Sequence, residues 1–495
     1  MYMKRTIIIL LLAIAGNLAA QQMTLSKGNE SKEVDAQALV EGIYVGPWSD
    51  VDCWIMEGKK NVKQLMTINS NQEVFRTISL AGSNKATVLA ATIDDGHIMV
   101  YTSDDSDNKK TVLFRYDIDL HIDVYGKPKA EKVEPDTVST FDHEKKDKSL
   151  VWGAASPDGR LAGLVTIIEF TKTNEYRTQI NLLGSRGEML WEKEFALGSM
   201  KDIFVTNEGK IVTLGAEMEK EETHLIYNII SQDKEASYDV VVKCDPIREM
   251  KLVNVLGNYA VAMGTYSPIN RSFDKGYTGG TLAVSFNVET AELKGFILRP
   301  FQNEDINILY NKKTQKIQKE LWADRVNVID YAPTSFGAAM VLGRSLKTEN
   351  IEPDGTVVSI NNAMGLHVVA ADTLGEIKWV RNIRRNDFTK KEKYLLGVSL
   401  VGTPHGTCLV KTESAKYPAI YDIAKEAKKY ETGSKCNMMI YNIADDGMVQ
   451  KSVIEAKSKQ SHLRSLLRND GSLLVFTARG NKTRMVSLQF VDGSF

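Results

Sequence analysis

A tight turn set between two short apolar runs recurs seven times along this chain, and no other feature limits its fold as strongly. Four turns read Asp94-Asp95-Gly96, Pro157-Asp158-Gly159, Asn207-Glu208-Gly209 and Asn469-Asp470-Gly471, and weaker copies lie at 256–258, 335–337 and 404–406. Glycine, Asn and Asp suit these places because tight hairpin turns require positive φ. The runs that follow, such as HIMVY, KIVTLG, YAVAMG, AAMVLG and SLLVF, are apolar and bounded by turn signals, as strands buried on both faces are. A third strand then comes at 111–118, 178–183, 224–230, 281–288, 366–371, 438–443 and 484–491. A second tight turn and a fourth strand follow, as in 184–195, 372–380 and 445–454.

Four antiparallel strands repeating every ~45–80 residues predict an all-β chain folded as a β-propeller. Seven first turns predict seven four-stranded blades, with eight as the alternative. A pair of β-sandwiches would also show short strands, but it requires no such repeat. The last unit ends at Phe495 without its fourth strand. A strand from the N-terminal region would remove that open edge, and 73–80 and 42–45 are the candidates. The same region could instead complete an eighth blade.

Residues 1–20 have the order of a secretory signal: Lys4 and Arg5, then the apolar run TIIILLLAIA, then the small residues Ala19 and Ala20. The apolar run is roughly half the ~20 residues a spanning helix needs. Cleavage after Ala20 is expected, then a flexible segment over 21–40 and one propeller domain over 41–495, in a periplasmic or extracellular location. The first cysteine is Cys53, far from the cut, so a lipid anchor is not expected. The whole chain carries a net charge of −1, and losing Lys4 and Arg5 makes it more negative. That balance argues against a nucleic-acid partner, and no later segment predicts a membrane span. Cys53, Cys244, Cys408 and Cys436 are too sparse for a disulfide scaffold and form no CxxC pair. Cys408 and Cys436 fall on neighbouring strands of one unit, so they are expected to lie close together without necessarily being bonded.

Two fourth-strand turns, Gly187 to Trp191 and Gly375 to Trp379, share the pattern G-x-x-x-W. This resembles the repeats of pyrroloquinoline-quinone-type and WD-type propellers, whose tryptophan wedges between blades. In general build the chain is similar to exported propellers of the Bacteroidetes type. The resemblance implies a propeller over nearly the whole chain and gives Trp191 and Trp379 a packing role. It implies no quinone, because Asp372 and Gly375 are not spaced as the fuller quinone motif requires.

The long connections are expected on one face, where second-to-third loops and blade links emerge. Within blades they are 104–110, 217–222, 267–280, 344–364 and 412–435, and between blades 125–148 and 301–324. Helical spacing marks 419–430 and 305–322. Arg271, Tyr277, Trp322, Tyr417 and Tyr421 on these insertions are the side-chain types that carry interface energy, and they are the expected partner-binding residues. No nucleophile elbow, HExxH helix or phosphate loop occurs, so no catalytic residue and no cofactor is expected. His405 with Cys408, and the acidic groups Asp104, Asp105, Asp107 and Asp117, Asp119, Asp123, fall short of a metal site by ligand number or spacing. Asp136-Thr137-Val138 and Asp372-Thr373-Leu374 match a short glycosylation motif at chance frequency. The expected function is a non-catalytic propeller binding a protein or glycan of the cell envelope through its loop-rich face. The alternative is an envelope carbohydrate hydrolase or lyase with its site at the central channel.

Overall fold

The computed structural model describes residues 23–490, apart from 28–29, 31–33, 70–72, 122–130, 174, 196, 198–199, 220–221, 243–245, 268–276, 312–321, 392–395, 405, 416–429, 433–434, 469 and 480–481. Its strands form eight sheets of four or five strands, in chain succession, and one two-stranded ribbon. Sheets I to VIII span 43–80, 87–142, 148–194, 202–242, 247–300, 326–389, 398–458 and 461–490, and Met23–Lys27 joins the last. The first strand of each sheet lies beside the first strand of the next, from Ile43–Trp48 to Ser461–Leu467. The two ends of the series meet. Trp54 and Met56 of sheet I pack with Leu463 and Phe476 of sheet VIII, and Arg468 pairs with the buried Asp52. The chain is a β-propeller.

Some of the turn glycines also press against the preceding sheet. Gly375, at φ +74°, stands over Gly295 of sheet V, where an added Cβ would come within 2.9 Å of the Gly295 carbonyl oxygen. Gly447 lies against Trp379 of sheet VI, and its carbonyl accepts from Arg381 at 2.5 Å. Gly187 meets Arg115 of sheet II in the same way. Trp191 and Trp379 are buried between adjacent sheets, which is the packing role the turn pattern implies.

Several expectations change. The seven repeated turns belong to sheets II–VIII. Sheet I turns at Ser49-Asp50, where Ser49 takes φ 54° without a glycine, so the turn count passes over it. Residues 73–80 and 42–45 are therefore strands of sheet I and not the closing strand. Met23–Lys27 closes sheet VIII by pairing antiparallel with Lys482–Phe490. The segment 21–40 is accordingly not merely a flexible lead: it holds this strand and the start of helix Ala36–Glu41, capped by the Asp35 carboxylate.

Among the described residues, parts of three of the long connections are strands. Residues 344–364 lie in a continuous hairpin, Gly337–Ile351 against Val357–Asp372. Glu217–Glu219 and Glu222 lie in paired strands of another. The link 125–148 contains the fourth strand of sheet II, Asp136–Asp142. Helix Asn303–Tyr310 ends at the left-handed Asn311, and 312–321 of the expected helical span, like nearly all of 419–430, lie outside the described residues. Cys408 and Cys436 are not close. Cys408 stands opposite Asn442 and Cys436 opposite Ser414, an offset of six residues, or roughly 20 Å at strand rise. Both are buried, as is Cys53. Cys244, His405 and residues 1–20 lie outside the described residues.

Candidate functional site

Sheet VI reaches beyond its neighbours because its central strands run for 15 and 16 residues. The extension encloses a cavity of about 470 Å³ at the loop-rich end, floored by Val328, Ile329 and Leu346 and walled by Asn327, Arg344, Lys347, Asn361 and Arg385. Consecutive polar and apolar residues line it together, in 327–329, 343–347 and 361–363, where the strand register shifts at Val328/Asp330 and Gly343/Arg344. Leu396, in the link to sheet VII, closes one side.

The two arginines are held in place. Arg344 reaches the Asp324 carboxylate at 3.0 Å and lies over the Tyr310 ring at 4.2 Å. Burial would raise the Asp324 carboxyl, but hydrogen bonds from Tyr310 and Arg344 outweigh it and hold it below its ordinary range. Arg385 is buried, donating to Asp387 at 2.7 Å and to the Leu396 carbonyl at 2.5 Å. Asn327 donates to Ser345 and Asn362 to the Leu346 carbonyl. Lys347, two-thirds exposed, stands at the mouth. No carboxylate lines the cavity among the described residues. Its chemistry is that of N–H donors over an apolar floor.

Of the five expected partner-binding residues, the structure brings two together. Tyr277 and Trp322 meet edge to face with ring centroids 4.2 Å apart. Tyr277 sits opposite Asp324 in the two-stranded ribbon, so the aromatic pair is one side chain away from Arg344 and the cavity. Arg271, Tyr417 and Tyr421 lie outside the described residues. The insertion bearing the last two returns through Tyr430–Glu431, which pairs with Asp387 and Phe388 of sheet VI. Sequence reasoning missed the cavity residues because their positions read as a loop. Polar residues fall on both faces of these strands around Asn361 and Lys347, so no alternation marks them as a sheet.

Two other polar groups are buried. Asp305 caps its own helix and meets Arg299 at 2.8 Å and His367 at 3.3 Å. Glu413 meets Lys411 and Lys451 at 2.9 and 2.7 Å. Both are compact ion-pair networks that join strands. On the short-turn face, Asp119 lies beside His97 and His121 in an arrangement able to hold a metal ion. Among the described residues no helix is long and apolar enough to cross a membrane.

No family model matches the chain, and no curated protein matches it. Solved structures similar to it include the β-propeller domain of the trilobed protease of Pyrococcus furiosus, at 11% identity over 65% of this chain and 75% of that one, with a TM-score of 0.30. Polysaccharide lyase Uly1 is similar at 10% identity over 81% of this chain and 90% of its own, with a TM-score of 0.36. The Dos1 propeller is similar at 10% identity over 83% and 94%, with a TM-score of 0.32. Likeness at this level carries nothing about activity, and the propeller assignment stands on the chain's own sheet order.

Proposed function

We propose that this is an exported, non-catalytic propeller that binds an acidic glycan of the cell envelope through the loop-rich face of sheet VI. The cavity carries this reading: it is concave and lined by Arg, Lys and Asn donors, and its Arg344 is held by Asp324, the residue opposite Tyr277 in the ribbon. Such donors suit the hydroxyl and carboxylate oxygens of a sugar, and aromatic rings suit its apolar faces. A hydrolase site in this cavity would call for two carboxyl groups about 5–10 Å apart flanking the bond, and the described lining supplies none; the alternative with a site at the central channel is separate from it. Export rests on the signal pattern of residues 1–20.

The test is equilibrium binding of the mature protein to acidic and neutral polysaccharides. The expected result is selective, salt-sensitive retention of the acidic ones, weakened at least tenfold by Lys347→Glu. Tyr277→Ala is expected to weaken it as well. Binding that survives both substitutions would overturn the site, and capture of a protein partner with no glycan affinity would overturn the ligand class.

A further inference from the structure

We propose that His97, Asp119 and His121, on the face opposite the cavity, form a binding site for a divalent transition-metal ion, with Zn²⁺ as the first occupant to try. One ligand atom from each residue lies within 4.8 Å of the other two. The placement follows from the hairpin. His97 directly opposes Asp119 in the strand register. The Leu120 N–H still donates to the Gly96 carbonyl at 2.8 Å, which carries the ladder on to His121.

The turn glycine makes room for the second imidazole. A Cβ on Gly96 would come within 2.7 Å of the His121 ring and 2.9 Å of the Trp48 indole nitrogen. Trp48 backs His121 edge-on, with ring centroids 6.0 Å apart, and the two imidazole centroids are 5.9 Å apart. Each imidazole has a carboxylate at Nδ1: Asp117 at 3.4 Å from His97 and Asp119 at 2.9 Å from His121. Metal-bound imidazoles commonly have such a partner on the nitrogen that does not face the ion. That leaves Nε2 of His97 as a donor, while His121 and Asp119, already in contact through Nδ1 and Oδ1, meet the ion as ligands side by side. Tetrahedral zinc ligands sit roughly 3.3 Å apart, so the donors must draw together slightly. His121 has the freedom to do so, with nearly half of its side chain in solvent.

Two imidazoles and one carboxylate select Zn²⁺, Ni²⁺ or Cu²⁺. Ca²⁺ takes six to eight oxygens and is disfavoured. Three protein ligands leave a tetrahedral position open to water or to a donor from a partner.

Isothermal titration of the full-length, tag-free, chelator-treated protein with ZnCl₂ tests this, alongside thermal unfolding with and without the ion. The expected result is one saturable site per chain and a melting temperature raised by Zn²⁺. His97→Ala or His121→Ala should weaken binding at least tenfold, and Asp117→Asn less than either ligand change. These side chains lie at the surface, so the variants should keep the parent's circular dichroism spectrum. If Zn²⁺ does not bind saturably, or binds the double variant His97→Ala/His121→Ala as well as the parent, the group is a set of surface His–Asp ion pairs and the proposal is wrong. Should the double variant fail to fold, Asp119→Asn gives the same reading: unchanged affinity overturns the site.

Discussion

Ser49 occupies φ 54°, a backbone region where a Cβ costs about 1–2 kcal/mol. Ser49→Gly is expected to raise stability by up to ~1 kcal/mol in urea unfolding, part of the relief being offset by the freer unfolded chain. A loss on that substitution would mean that the serine side chain contributes something the turn needs. Glu413 is the opposite case, a residue on which neighbours depend. Burial pushes its carboxyl up, but Lys411 and Lys451 outweigh burial and hold it at about 2, below its ordinary 4.5. Because the folded value is depressed, the ion pairs stabilise the fold above pH 4.5, and that contribution is lost as pH falls through 4.5 toward 2. Glu413→Gln leaves the fully buried Lys411 facing a neutral amide. The expected cost is about 3 kcal/mol at neutral pH, and the gap between variant and parent should close as the medium is acidified. A gap independent of pH would show that the loss comes from packing.

At the scale of elements, the turn glycines divide into two kinds. Gly375 and Gly355 share positive φ, +74° and +83°, but Gly375 touches sheet V and Gly355 touches nothing within 4 Å. Gly355→Ala is expected to cost about 1 kcal/mol, the backbone strain alone. Gly375→Ala should cost roughly 1–3 kcal/mol more, because the added methyl forces two sheets apart. Equal losses would mean that the sheets slide past the obstruction at no cost. The repeat was legible because the positive φ of these bends selects glycine at most of the turns. The extended hairpin of sheet VI was not legible. Its tip, Asp354-Gly355, is an ordinary turn signal, but the flanking residues are polar on both faces and read as loop. Only pairing with the neighbouring strand satisfies their backbone groups and makes them a sheet.

For the whole molecule, closure depends on five residues far from the sheet they complete. Removing residues through 28 strips Met23–Lys27 from Lys482–Phe490 and leaves a bare edge in sheet VIII. Unpaired edges invite pairing with another chain. The truncated protein is expected to melt several degrees lower and to self-associate on size-exclusion chromatography; monomeric behaviour with an unchanged melting point would show that the strand is dispensable. The thiols offer a second measurement on the intact fold. Burial pushes Cys53 and Cys408 up to about 12, and a thiol reacts as its thiolate. Both should resist labelling in the native state and react on unfolding without reductant. A Cys408–Cys436 bridge would contradict the strand register.

The order of turns and apolar runs determined the class of fold, because a hairpin's needs are local: positive φ at the bend and apolar side chains on either side. The same locality made Trp191 and Trp379 readable as packing residues. Register and closure depend instead on contacts between residues distant in sequence. Nothing near Met23 announces its partner Phe490, and nothing in a polar run announces a cavity. His97 and Asp119 stand 22 positions apart and become neighbours only once the hairpin between them pairs. The tertiary structure therefore decided the number of sheets, the strand that closes the ring and both candidate sites.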